Sequence, residues 1–111
     1  MPTTKRSPDF DVSHLLSHQQ VIAKAVLGVL PKDATGGGCR AFYSPKEWAE
    51  RNETYGLKSL LIVVHDGGDL EPYCNLDFGS YSMHDRMQAA LGKVGLYMEQ
   101  CTSWYSAIYM A

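Results

Sequence analysis

Between Ser59 and Asp85 the chain has neither lysine nor arginine, yet it carries Asp66, Asp69, Glu71, Asp77 and Asp85. That local absence of positive charge excludes a phosphate-binding surface there, because nucleic-acid binding rests on Lys and Arg at the backbone. Cysteine is also scarce. Cys39, Cys74 and Cys101 are odd in number, widely spaced and without a C-x-x-C pair. A disulfide framework is thereby excluded, and a reducing, cytoplasmic setting is the expectation. No apolar run is long enough to span a bilayer: Val21–Leu30 is the longest near the N-terminus, and Lys24 interrupts it. That run lies behind Asp9 and Asp11 and is followed by PKDATGGG, which lacks a cleavage pattern, so a secretion signal is not expected.

Motifs that would announce an enzyme are missing too. Gly36-Gly37-Gly38 is followed by Cys39-Arg40, not by the Gly-Lys-Ser/Thr of a phosphate cradle, and reads as the pivot of a linker. His14 and His18 have a spacing at which one helix could offer two imidazoles, but no third ligand accompanies them. A calcium site from Asp66, Asp69 and Glu71 lacks the D-x-D-x-D-G loop that supplies six or more oxygens. No cofactor or metal is expected.

What is present fits one small domain. The 111 residues are 45% hydrophobic and 20% charged, the balance of an ordinary globular protein. The net charge of −2 is unevenly spread: residues 1–40 hold five bases and three acids, residues 41–111 five bases and nine acids. Residues 1–11 read as a flexible, slightly basic arm, and residues 12–111 as one α+β domain. Within it, a helix over 12–30 stops at Pro31, a linker covers 31–38, and a compact unit covers 39–111. Leu15, Ile22, Val26 and Val29 make one helical stripe, and Leu16, Ala23, Leu27 and Leu30 an adjacent one. A helix so broadly apolar needs cover from its own sheet or from a second copy.

Further along, Cys39–Tyr43 is a short strand. Ser44-Pro45-Lys46-Glu47 has the cap, the first-turn proline and the reciprocal glutamate of a helix start, predicting a helix to about Asn52 with Trp48 facing inward. Leu60–Val64 is a strand covered on both faces. After Gly67-Gly68, the alternation of Leu70, Pro72, Cys74 and Leu76 with Glu71, Tyr73, Asn75 and Asp77 predicts a return strand. A central hairpin over about 57–77 results, with Pro72 marking an edge. A helix opening at Ser82-Met83-His84-Asp85 carries Met83, Met87, Ala90, Leu91 and Val94 inward and stops at Gly95. Residues 96–110 make either one long strand or two joined near Thr102-Ser103. The predicted fold is a mainly antiparallel sheet of three to five strands with two to three helices.

In that hairpin, Asp66 faces Asp69 as a like-charge pair that destabilises the turn. A bound cation, a basic partner, or hydrogen bonds to turn amides would offset it. The same register separates His65 from Cys74 by about 13 Å, too far for a nucleophile and its base. A sheet-end histidine and a buried thiol are the expectation for that pair. The candidate site is therefore a surface for protein recognition: Asp66, Asp69, Glu71, Tyr73, Asp77, Phe78 and Tyr81, acids for attraction and aromatics for anchoring. Its partner would be a protein with a basic surface. A second class of function is nucleic-acid binding through Lys5, Arg6, Lys24, Lys32 and Arg40, which are too dispersed to rank first. A third is a small enzyme or ligand-binding domain around His65.

In size and character, and in its LIVVHDGGDL and EQCTSWYSAIY segments, the chain resembles small accessory proteins encoded by phages and plasmids. Anti-CRISPR-type inhibitors belong to that loose class. The resemblance implies a short, acidic, non-enzymatic protein that blocks a basic nucleic-acid-binding groove, and it assigns no site residues.

Overall fold

The computed structural model describes residues 7–79 and 81–111, with Phe78 described by its backbone alone. It is an α+β fold around a four-stranded antiparallel sheet in the order β1-β2-β4-β3. The strands are β1 (Phe42–Tyr43), β2 (Leu61–Val64), β3 (Leu96–Gln100) and β4 (Tyr105–Met110). The helices are α1 (Ser17–Leu27), α2 (Pro45–Glu50), α3 (Glu71–Cys74) and α4 (Tyr81–Gly92). Residues 96–110 thus form two strands, and their hairpin turns where the amides of Cys101 and Thr102 both reach the Tyr105 carbonyl.

The pairings Val64↔Tyr105, Val63↔Ser106, Ile62↔Ala107 and Leu61↔Ile108 place β2 against β4 at the centre. One sheet face carries Phe42, Leu61, Val63, Met98 and Ile108 into the main core with Ile22, Ala23 and Val26 of α1, Met87 and Leu91 of α4, and Leu70 and Cys74. The other face packs Ile62, Val64, Tyr105 and Ala107 against Trp48 of α2. β2 is buried throughout, as its unbroken apolar run requires. The free edge of β3 is capped by Gln88, whose amide donates to the Met98 carbonyl (2.6 Å) and accepts from its N–H (2.9 Å). A side chain thereby occupies backbone groups that would otherwise invite another strand.

The α2 start is as expected. Ser44 Oγ accepts from Glu47 N at 3.1 Å, and Glu47 Oε1 accepts from Ser44 N at 3.1 Å. The first helix is shorter than 12–30. Asp11 spends its carboxylate on the amide and hydroxyl of Ser13 in a local turn, and Gln19 Oε1 accepts from Leu16 N at the true start. Most of the expected arm, residues 1–6 with Lys5 and Arg6, lies outside the described residues. Pro8–Phe10 is a 3-10 turn with Phe10 buried.

The central hairpin over 57–77 is not formed. After β2 the chain bends through Gly67 and Gly68, both at positive φ, into α3, with Pro72 in the first turn of that helix. Alternation over 70–77 was a misleading signal because proline suits a helix start better than a ladder. The glycines serve close approach. A Cβ on Gly68 would stand 2.5 Å from Gly37 N and from Gly36 C, and one on Gly37 would stand 2.8 Å from Gly68 N. Two glycine loops, 35–38 and 66–69, therefore pack backbone against backbone. The reciprocal bonds Asp69 N to Thr35 O (2.8 Å) and Thr35 N to Asp69 Oδ2 (2.7 Å) lock them.

The 31–38 linker is correspondingly held in place. Asp9 Oδ2 accepts from Gly36 N (3.1 Å) and Gly38 N (3.2 Å), so the chain's own carboxylate fills the amide nest of the triple glycine.

These contacts separate two adjacent glycines. Gly68→Ala meets backbone and keeps a positive φ, so it should lose about 2 kcal/mol or more in urea unfolding. Gly67→Ala has open space around its Cβ and should lose only the conformational term, about 1 kcal/mol. Equal losses would disprove the backbone contact.

Candidate functional site

The segment that carries the seven predicted residues folds into the corner made by α3, a 3-10 turn at Leu76–Phe78, and α4. The structure divides these residues among different tasks. Asp69 is spent on Thr35, which answers the like-charge problem: its carboxylate faces an amide and does not sit across a ladder from Asp66. Glu71 accepts from Gly67 N at 3.0 Å and from Asn75 Nδ2 at 2.7 Å. Tyr73 is buried in the core, where its ring packs and cannot anchor a partner. Asp66 is exposed but lines a cleft with two arginines. That leaves Asp77 and Tyr81 exposed, as Leu76 and Asp85 also are. Tyr81 and Asp85 share a helical face at i, i+4. The side chain of Phe78 lies outside the described residues.

Beneath this corner is a buried polar arrangement of which sequence reasoning named the histidine and the acid but not the hydroxyl. His65, at the end of β2, is 1% exposed, and its Nε2 shares a 2.9 Å hydrogen bond with Ser106 Oγ. Its Nδ1 lies 3.6 Å from Glu71 Oε1, beyond hydrogen-bond length, and has no partner among the described residues. The order acid, imidazole, hydroxyl is that of a nucleophilic triad. However, Ser106 is fully buried on the central strand pair, and Glu71 already holds other donors. That hydroxyl is closed off from solvent in this fold. One sequence signal for Ser106 was available: it is the lone polar residue of the strand YSAIYM.

Burial pushes the His65 pKa down, and the nearby Glu71 carboxylate only partly opposes this. Cys74 is a fully buried thiol, raised far above its ordinary pKa by loss of water and, secondarily, by the Glu71 carboxylate.

On the opposite sheet face, aromatic rings gather around Trp48. Its ring centroid is 4.9 Å from Tyr43, 5.6 Å from Trp104 and 4.9 Å from Tyr105. Two guanidiniums lie on these rings: Arg40 is 4.2 Å from the Tyr43 centroid, and Arg51 is 4.7 Å from that of Trp48. Arg40 also grips Glu47 with 2.8 and 2.9 Å bonds. At Glu47, burial favours the neutral acid, but the Ser44 amide and the Arg40 guanidinium outweigh it and set the pKa below its ordinary value. Arg40 is therefore committed within the fold, which removes it from the expected nucleic-acid-binding set. Lys24 and Lys32 stay exposed.

Above the rings opens a cleft of about 290 Å³ lined by Cys39, Arg40, Tyr43, Arg51, Asp66 and Trp104. A second cavity, about 470 Å³, lies between the starts of α1 and α2. Three of its polar side chains are already engaged: His14 Nε2 with the Phe42 carbonyl, Gln19 with Leu16 and Leu60, and Ser44 with Glu47. His14 precedes α1 while His18 lies within it, so the two do not share a helical turn. Among the described residues, no three His, Cys, Asp or Glu side chains gather as a metal site.

The lowered pKa of His65 carries a sign. Between its folded value and the ordinary 6.5, the unfolded chain binds a proton that the folded chain refuses. Stability should thus be full above 6.5 and fall as pH drops from there toward the folded value. In denaturant titrations at stepped pH, His65→Gln should flatten this slope, whatever its effect on stability at neutral pH. An unchanged slope would assign the acid sensitivity elsewhere. No family model, curated protein or solved structure matches this chain.

Proposed function

We propose that this protein is a non-enzymatic protein-binding module whose acidic corner docks on a basic surface of its partner. The observation that carries this reading is the sorting of the acidic segment. Asp69 and Glu71 are consumed by the fold, whereas Leu76, Asp77, Tyr81 and Asp85 are each exposed, in a stretch without a single Lys or Arg. Leu76 is 42% exposed and Tyr81 64% exposed, large side chains that a partner would desolvate. The carboxylates would steer encounter with a Lys- and Arg-lined groove, and salt would screen that attraction. Sealing of Ser106 and His65 away from solvent favours binding over catalysis.

Within this proposal the more specific reading is an inhibitor of the kind encoded by mobile elements, with the basic groove of a nucleic-acid-binding complex as target. The outward acids and aromatic would then occupy the place of nucleic-acid phosphates and bases.

Affinity capture from host lysate, at low and high salt, compares wild type with Asp77→Lys/Asp85→Lys. The wild type should retain a basic partner at low salt and release it at high salt. With the purified partner, the double reversal should slow association about tenfold or more at low salt and flatten its salt dependence. Unchanged binding by the double variant would remove the corner as the interface.

A further inference from the structure

The cleft over the Trp48 cluster lies on the sheet face opposite the buried His65–Ser106 pair, and the acidic-corner reading leaves its chemistry unused. Three of its walls have complementary roles. Trp104 is half-buried: its ring meets Trp48 and Tyr105 at tilted and edge angles, and part of it remains open at the cleft. Arg51 lies over Trp48 and Tyr43, its guanidinium carbon 4.7 and 5.2 Å from their ring centroids, with 45% of its side chain exposed and one loose contact to Glu53 at 3.5 Å. It therefore keeps N–H groups for an anion, whereas Arg40 gives its Nε to the Phe42 carbonyl and its Nη2 to Glu47. The Asp66 carboxylate makes no hydrogen bond or ion pair among the described residues. A planar ring, an anion and a carboxylate-binding edge are thus asked of one ligand.

A flat aromatic ring suits Trp104 and the guanidinium planes, since bases stack on both kinds of surface. An attached phosphate suits Arg51. The carboxylate then selects among rings, because an ionised Asp only accepts hydrogen bonds. Adenine and cytosine place a ring acceptor beside their exocyclic amine, which a carboxylate repels. Uracil and thymine offer one ring N–H between two carbonyls. Guanine presents a ring N–H and an amine side by side, two donors matched to two carboxylate oxygens. The volume, about 290 Å³, sits near the lower end of small-molecule sites, the scale of a base with its phosphate and not of a larger cofactor. The geometry points to a guanine nucleotide site, with the base against Trp104, its donor edge on Asp66 and the phosphate on Arg51.

Calorimetry on the full chain with guanosine monophosphate, adenosine monophosphate and guanosine tests the assignment. The guanine nucleotide should bind about tenfold or more tightly than the adenine nucleotide, the scale of one bidentate edge contact. It should also exceed guanosine. Asp66→Asn should erase the guanine preference, and Arg51→Gln the advantage of nucleotide over nucleoside. Both side chains are at the surface, and unchanged melting would show that the variants fold. A single-stranded oligothymidine with and without one central guanine distinguishes a base within a strand from a free nucleotide. No binding by any guanine ligand, or equal binding of the guanine and adenine nucleotides, would overturn the site. Loss of partner binding in the Asp77→Lys/Asp85→Lys protein would leave it untouched.

Discussion

Backbone contact between two glycine loops governs how this chain is arranged. Loops 35–38 and 66–69 approach so closely that a Cβ at Gly68 would fall within 2.5 Å of the facing backbone. Neither loop is long, and each is tied by a carboxylate: Asp9 in the amides of Gly36 and Gly38, and Asp69 across to Thr35. That contact turns the chain away from β2 before a return strand can begin. It thereby delivers α3 to the main core, brings Glu71 near His65, and leaves the place beside β2 to β4. Without it, the alternation at 70–77 would have no reason to yield to a helix.

The sheet then separates two kinds of polar chemistry. On the main-core face, His65 and Ser106 share a hydrogen bond between buried side chains, where an incompletely satisfied imidazole is costly and resists protonation. On the α2 face, aromatic rings carry guanidinium groups at the surface, where charge stays hydrated and open to a ligand. The same principle decides both cases. Burial converts a triad-like arrangement into internal support, and partial exposure makes an arginine available.

The acidic segment shows how a linear charge pattern overstates a surface. Asp66, Asp69, Glu71 and Asp77 look equivalent along the chain, yet they are distributed to a cleft, a loop lock, a helix start and an exposed turn. Charge repulsion within so short a stretch is reduced because two of the four carboxylates accept backbone amides. What remains outward is smaller and more apolar than the sequence pattern implied, since Leu76 is itself 42% exposed.

Local chemistry was legible in the sequence wherever a residue acts on its own neighbours. The Ser44–Glu47 capping box and the unbroken apolar β2 are short-range consequences of side-chain preferences, whereas α4 ends at Gly92, short of the expected stop at Gly95. The α+β class, the inward Trp48 and the buried Cys74 were likewise readable from pattern. Tertiary structure alone decided which partner each polar group finds. Ser106 meets His65 across 41 residues, Thr35 meets Asp69 across 34, and Gly36 meets Asp9 across 27. Such contacts depend on two backbones arriving at one place. Nothing in the spacing of residues along a chain encodes that meeting until the sheet and its covering helices have formed.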